Sequence, residues 1–251
     1  MYLKQDSLIF YPHKNDASLV QAWQKQRIEI GSGDSAIEGW WKDNPQSPSS
    51  KIVLYFGGNG EDVLYTLANS QMLHAARMLV TNYRGYGLRK GRPSQIGLFE
   101  DALAVYDYVA GQPSVRPEDI VVMGRSLGSG VATYVAANRP VRAAILVTPY
   151  DSVRAVAKAS YPFLPVGLLL RHPFPSDTLA PNIKVPALIV AAEQDAVIPP
   201  AHARLLAEAW GGETTVHVLA NAGHNGIADH LDYYRVINEF MDGLRGKIAE
   251  D

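Results

Sequence analysis

The sequence predicts an α/β fold with a mostly parallel central sheet, because short apolar segments alternate with longer segments of helical character. From residue 52 onward, β-branched apolar segments recur at intervals that leave room for a helix, the arrangement of βαβ units. Most are continuously apolar, as strands covered on both faces require. The predicted strands are IVLYF (52–56), RMLVTN (77–82), DIVVMG (119–124), AAILV (143–147), ALIVAA (187–192) and TVHVLA (215–220).

The remaining elements complete this prediction. Helices are expected near 61–75, 95–110, 127–138, 200–210 and 229–244. Before residue 52, SLIFYP, RIEI and AIEGWW are predicted to form three antiparallel strands at one edge, which gives a sheet of about eight or nine strands.

One segment interrupts the alternation. Residues 149–184 separate two predicted strands and contain SYPFLPVGLLLRHPFP, which is rich in apolar residues and proline. An excursion at the carboxyl end of a parallel sheet lies where ligands bind in open α/β folds. We therefore expect a single domain over residues 1–251 with a small helical lid at 149–184.

Composition excludes several classes of function. The 251 residues carry 23 Lys and Arg against 25 Asp and Glu, and this balance does not favour a nucleic-acid interface. The lack of cysteine excludes a thiol nucleophile and a thiolate metal site. The N-terminus lacks the apolar core of a signal peptide, and no apolar run reaches the ~18 residues of a membrane span. As given, the chain is expected to be cytoplasmic.

The most specific motif is GRSLG at 124–128, between a predicted strand and a predicted helix. A serine hydroxyl becomes a useful nucleophile when it is exposed on a rigid turn beside a base. Glycine at 124 and 128 lets the chain pass closely enough for a tight strand–turn–helix. Ser126 is the predicted nucleophile. The N–H of Leu127 would lie at the helix N-terminus, where the helix dipole favours an oxyanion.

A histidine and a carboxylate complete the predicted catalytic set. Among seven histidines, His224 lies in the loop NAGHNG after the last predicted strand and is the predicted base. Asp195 follows the strand ALIVAA and is the predicted acid that orients His224. Asp151, which follows the preceding strand in VTPYDS, is the alternative acid.

A glycine-rich turn supplies the second predicted oxyanion donor. GGNGE at 57–61 follows the strand IVLYF. Glycines at this point let the backbone approach a tetrahedral intermediate, and the N–H of Asn59 would donate to it together with that of Leu127.

As a set, these motifs resemble the small-lid branch of the alpha/beta-hydrolases, which includes lysophospholipase-like and acyl-protein thioesterase-like enzymes. The sequence departs from that pattern at Gly57, where relatives usually carry histidine. Relatives also often have a hydrophobic anchor before SLIFYP, so the resemblance implies membrane contact, or a membrane-attached or periplasmic location, only if the natural chain has such an anchor. The matching segments, in order, are SLIFYP, FGGNGE, NYRGYG with GRPS, GRSLGSG, PYDS with YPFLP, VPALIV with EQDAVIPP, and NAGHNG.

The leading hypothesis is a serine hydrolase that cleaves carboxylic esters or thioesters through an acyl-enzyme, without a cofactor or metal. Amide or peptide hydrolysis on the same fold remains open, because the same residues serve both. A non-catalytic binding protein is the alternative from another class. A dehalogenase or epoxide hydrolase would need a carboxylate in place of Ser126.

The substrate is expected to be a small or lipid-like acyl ester. The segment 161–174 is dominated by apolar side chains, and a short lid has little interior of its own. Part of the segment should therefore line an acyl pocket, for which Tyr150, Leu168 and Leu169 are the candidate residues.

Overall fold

The central sheet forms from the apolar segments identified in the sequence. The computed structural model describes residues 5–244. Five of the predicted parallel strands are buried along nearly their whole length, and the sixth lies at the sheet edge, where Thr215, Val216 and Val218 are exposed. The strands are β1 (Arg27–Ile30), β2 (Ile37–Asp43), β3 (Ile52–Phe56), β4 (Arg77–Thr81), β5 (Ile120–Arg125), β6 (Ala143–Val147), β7 (Ala187–Ala192) and β8 (Thr214–Leu219).

The strand order is β1-β2-β4-β3-β5-β6-β7-β8. The pairs β1–β2 and β2–β4 are antiparallel, and all the other pairs are parallel. The predicted mostly parallel sheet with antiparallel strands at one edge is thus confirmed, with eight strands in the described chain. Because β3, β5 and β6 are adjacent, the loops that follow them meet at one edge of the sheet.

The prediction of a strand at SLIFYP is wrong. Residues Asp6–Ile9 form a short helix, α1, in which the N–H of Ile9 donates to the carbonyl of Gln5 at 3.0 Å. Phe10 is buried with its ring centroid 5.1 Å from that of His172. The segment therefore buries Phe10 against the insertion between β6 and β7, residues 149–184, rather than extending along the sheet edge.

The predicted helices are present with adjusted ends, and a short helix that was not predicted, α2, precedes β1. The predicted helix at 61–75 is split, because α3 ends at Ala68 and a separate 3₁₀ turn covers Ser70–Met72. The remaining helices are α2 (Ala17–Ala22), α3 (Val63–Ala68), α4 (Gln95–Ala110), α5 (Leu127–Asn138), α6 (Val153–Ser160), α7 (Val166–Leu169), α8 (Ser176–Leu179), α9 (Pro200–Ala209) and α10 (Tyr233–Gly243).

Helices cover both faces of the sheet, and alternate strand residues separate the two layers. In β5, Val122 packs in the cluster that includes α4, α5 and α9. Its neighbours Val121 and Met123 pack in the cluster that includes α3 and α10. This two-sided burial explains why the strands are continuously apolar in the sequence.

The β6–β7 insertion, residues 149–184, contains α6, α7 and α8. Its residues His172 and Phe174 bind to the first residue of α4. The N–H of Phe174 donates to Oε1 of Gln95 at 2.7 Å, and the N–H of Gln95 donates to Nδ1 of His172 at 3.3 Å. The Phe174 ring is fully buried and meets Phe10, Phe99 and Tyr150 edge-on. Within residues 5–244, no helix combines the length and apolarity that crossing a bilayer demands.

Replacing Phe174 with alanine should lower the free energy of unfolding by about 3–5 kcal/mol, because it leaves a cavity where α1, α4 and the insertion meet. Phe163→Ala is the matched control, since that ring is 97% exposed and surface substitutions change stability by less than about 0.5 kcal/mol. Urea unfolding of both variants measures the difference. Equal stabilities would show that Phe174 does not fasten the insertion.

Candidate active site

The turn between β5 and α5 places Ser126 at the carboxyl edge of the sheet. Ser126 has φ 50° and ψ −116°, outside the regions that non-glycine residues normally adopt. Such a conformation costs about 1–3 kcal/mol and persists only where the surroundings enforce it. A Cβ atom added to Gly124 would lie 2.1 Å from the carbonyl oxygen of Gly128. A Cβ atom added to Gly128 would lie 2.0 Å from the carbonyl oxygen of Phe56. Only glycine at both positions permits this turn.

Three side chains are hydrogen-bonded in series at this turn. Nε2 of His224 lies 2.9 Å from Oγ of Ser126, and Nδ1 of His224 lies 2.7 Å from Oδ2 of Asp195. A carboxylate can only accept, so Nδ1 carries the proton of the neutral imidazole and Nε2 is left to accept from the serine hydroxyl. The imidazole is thus oriented as a base toward Ser126.

The carboxylate of Asp195 is fixed by the loop after β7. Its Oδ1 accepts hydrogen bonds from the N–H groups of Val197 at 2.9 Å and Ile198 at 2.7 Å. Its side chain is 1% exposed. The carboxylate therefore has partners on both oxygens and one orientation toward His224.

Asp151, the alternative acid, belongs to a different pair. Its Oδ1 lies 2.7 Å from Nδ1 of His202 and accepts the N–H of Ser152 at 2.8 Å. Asp151 and His202 are both buried. The carboxylate that the structure brings to His224 is that of Asp195.

Two backbone N–H groups lie close to Ser126 without a protein acceptor in the described chain. One belongs to Leu127, the first residue of α5, and the other to Asn59. The loop that carries Asn59 is directly beside the serine, because a side-chain carbon built on Gly58 would lie 3.6 Å from the Ser126 Cβ. Both N–H groups are available to a ligand at this edge.

The side chain of Asn59 is fully engaged by the N-terminal segment and by Tyr86. Its Nδ2 donates to the carbonyl of Ile9 at 2.7 Å, and its Oδ1 accepts from the N–H of Tyr11 and the hydroxyl of Tyr86, both at 2.8 Å. These bonds fix the loop after β3 and leave the Asn59 N–H free.

An apolar cavity of about 300 Å³ lies between α1 and the β6–β7 insertion. Its wall includes Ile9 and Tyr11, whose backbone groups bond to the Asn59 side chain, so the N-terminal segment links this cavity to the loop beside Ser126. Its lining also includes Val153, Val156, Leu164 and Leu169.

Of the three predicted pocket residues, Leu169 lines this cavity. Tyr150 does not: it is buried in the core, and its hydroxyl donates to the Leu127 carbonyl at 3.0 Å. Burial raises the pKa of Tyr150, so the phenol remains protonated and able to donate. The side chain of Leu168 lies outside the described residues.

Two residues at the site have no counterpart among the sequence predictions. Arg125 donates through Nη2 to the carbonyls of His224 at 3.2 Å and Asn225 at 2.9 Å. Glu61 accepts the N–H of Gly58 at 2.7 Å. Their Nη1 and Oε2 atoms are 3.7 Å apart. The sequence shows a charged residue inside the GRSLG turn and another after GGNG, but it gives no indication that their side chains are in contact.

The described chain contains no group of three or more His, Asp and Glu side chains arranged to hold a metal ion.

A mostly parallel sheet with a serine on a strand–helix turn defines the class of alpha/beta-hydrolases. The profile of the serine hydrolase family matches residues 107–241, which include Ser126, Asp195 and His224. The chain belongs to this family.

Relatives agree with this assignment. An uncharacterized protein of Mycobacterium tuberculosis is 31% identical over 231 residues, which cover 90% of this chain and 82% of the relative. The lysophosphatidylserine lipase ABHD12 of Danio rerio is 29% identical over 216 residues, which cover 76% of this chain and 55% of that longer protein. The chain thus spans most of the first relative and about half of the second.

Among solved structures, the esterase Pf2001 of Pyrococcus furiosus has the same fold. The two superpose with a TM-score of 0.72 at 17% sequence identity, over 94% of this chain and 99% of that one.

Proposed function

We propose that the protein hydrolyses carboxylic esters or thioesters of acyl substrates through an acyl-enzyme on Ser126. The observation that carries this proposal is the hydrogen-bonded series from Asp195 through His224 to Ser126, at 2.7 and 2.9 Å. It is complemented by the N–H groups of Leu127 and Asn59 near Ser126, which have no protein acceptor among the described residues. Nucleophile, base and oxyanion donors are the components that acyl transfer requires.

In the proposed reaction, Oγ of Ser126 attacks the substrate carbonyl carbon while Nε2 of His224 takes its proton. The carbonyl oxygen becomes an oxyanion that accepts from the N–H groups of Leu127 and Asn59. Collapse breaks the bond to the alcohol or thiol, which leaves with the proton from His224. Water then attacks the acyl-serine by the same steps, and the free acid is released. Asp195 holds the tautomer and stabilises the imidazolium.

The proposed substrate is a lipid-like acyl ester. The apolar cavity between α1 and the β6–β7 insertion offers an acyl chain a lining of aliphatic and aromatic side chains. Each methylene buried there contributes about 0.8 kcal/mol. The similarity to a lysophosphatidylserine lipase, which acts on an acyl lipid, supports the same class of substrate.

Ser126→Ala should abolish both ester hydrolysis and labelling by a fluorophosphonate, because it removes the one oxygen that forms the acyl bond. The folded state should be retained, since the change removes a single atom at the sheet edge. Gel fluorescence after labelling and p-nitrophenyl butanoate turnover measure the two effects. Ser114→Ala, at an exposed serine between α4 and β5, is the control and should label like wild type. Labelling that persists in Ser126→Ala would place the nucleophile elsewhere.

Asp195→Asn should lower kcat by about 10³–10⁴-fold, because an amide at this position favours the wrong imidazole tautomer. Asp151→Asn should lower kcat far less, since Asp151 is paired with His202. Steady-state kinetics on one chromogenic ester compare the two variants, with circular dichroism to confirm folding. A larger loss in Asp151→Asn would move the acid to that residue.

The ratio kcat/KM on simple esters should rise from acetyl to acyl chains between about butanoyl and octanoyl, by up to about fourfold for each fully buried methylene. Leu169→Asn should flatten this trend more than it slows acetyl-ester turnover, because it places a polar group in the cavity lining. Leu231→Asn, at a side chain that is 97% exposed, is the control and should keep the trend. If acetate is the best substrate and Leu169→Asn changes nothing, the cavity does not bind the acyl chain.

A further inference from the structure

We propose that Arg125 is a positioning residue for both halves of the active site. It fixes the loop that carries His224 and, through Glu61, the loop that carries Asn59. This inference rests on the proposed function, because the groups it positions are the proposed base and oxyanion donor.

The first half of the argument is the contact with the His224 loop. The Arg125 guanidinium donates through one nitrogen to two successive carbonyls, those of His224 and Asn225. A planar guanidinium holds such acceptors in a fixed geometry that a flexible ammonium does not reproduce. The backbone of His224 is thus tied to the residue that immediately precedes Ser126.

The second half is the contact with Glu61. One oxygen of its carboxylate accepts the N–H of Gly58 at 2.7 Å and lies 3.7 Å from the Arg125 guanidinium. The other oxygen accepts the hydroxyls of Tyr55 at 2.7 Å and Thr66 at 2.6 Å. Glu61 therefore fixes the N–H of Gly58, the residue that directly precedes Asn59, and its charge is balanced by Arg125.

Burial and charge make these contacts strong. The side chains of Arg125 and Glu61 are 16% and 11% exposed. Burial lowers the pKa of Arg125, but the negative charge of Glu61 opposes this and leaves the pKa above its ordinary value. The guanidinium remains charged, so its hydrogen bonds to the His224 loop are charge-assisted.

A buried ion pair adds little to stability when compared with apolar residues of similar size. The effect of this ion pair on the reaction rate is expected to be larger than its effect on stability, since a displacement of about 1 Å in a catalytic group can cost about 10²-fold in rate. Arg125 joins three segments in one contact: the turn at Ser126, the His224 loop and the loop after β3.

The test is a set of four variants assayed for kcat and KM on p-nitrophenyl butanoate. Arg125→Met should lower kcat by about 10- to 100-fold and change KM by less than about threefold, because the acyl cavity is not altered. Arg125→Lys should recover only part of kcat, because an ammonium keeps the positive charge but lacks the two guanidinium nitrogens that face the His224 loop and Glu61. Glu61→Gln should show a smaller loss, since its amide oxygen can still accept the Gly58 N–H. The double variant Arg125→Met with Glu61→Gln should keep the low kcat of Arg125→Met.

The double variant also separates positioning from instability, because it leaves no uncompensated buried carboxylate. Arg142→Met is the matched control: Arg142 also donates to a backbone carbonyl, that of Leu244, but it lies at the amino end of β6. It should keep wild-type kcat.

Two results would overturn the inference. One is wild-type kcat in a folded Arg125→Met or Arg125→Lys variant. The other is recovery of wild-type kcat in the double variant, which would show that Arg125 only neutralises the charge of Glu61. In both cases wild type still hydrolyses the ester and labels with a fluorophosphonate, so the proposed function stands. If wild type does neither, the proposed function fails and this inference fails with it.

Discussion

The backbone of α5 begins in direct contact with the end of β3, where Gly128 faces the carbonyl of Phe56. No side chain fits between them, so the turn that precedes α5 must be tight and Ser126 must adopt its unusual φ and ψ. The same contact brings the first N–H of α5 beside the loop after β3. One steric constraint thus determines where the serine hydroxyl and the N–H groups beside it lie, and the close packing around the turn enforces the strained conformation.

Two acid–histidine pairs occupy the carboxyl edge, and their surroundings separate their roles. Asp195 is held by two N–H groups and reaches the histidine beside Ser126. Asp151 reaches His202 in α9, and its carbonyl accepts the N–H of Asp177 at 2.7 Å. The contacts of Asp151 therefore join the start of the insertion to α8 and to α9. The Asp151 carboxylate, although it follows a strand as a catalytic acid would, has a structural role: it connects neighbouring segments of the chain.

The sequence predicted what local patterns determine. Continuously apolar segments predicted β3 to β7, and glycine spacing predicted the turn at Ser126, because each depends on residues close together in the chain. The strand prediction for SLIFYP is wrong, because its apolar pattern is typical of a strand while its helical conformation depends on contacts with the distant insertion. Arg125 and Glu61 were missed for a related reason: a salt bridge between distant loops leaves no local pattern. Tyr150 was placed in the pocket, although its hydroxyl turns inward to α5.

The bonds between Asn59 and the chain at Ile9 and Tyr11 make the N-terminal segment part of the proposed active site. The same two residues form a wall of the apolar cavity. Deleting this stretch to obtain a shorter protein, or fusing an affinity tag against it, therefore disturbs the proposed oxyanion donor and the proposed acyl-binding surface at once. Such a preparation can retain an intact sheet and a correctly placed serine and still misreport the enzyme's rate and chain-length preference.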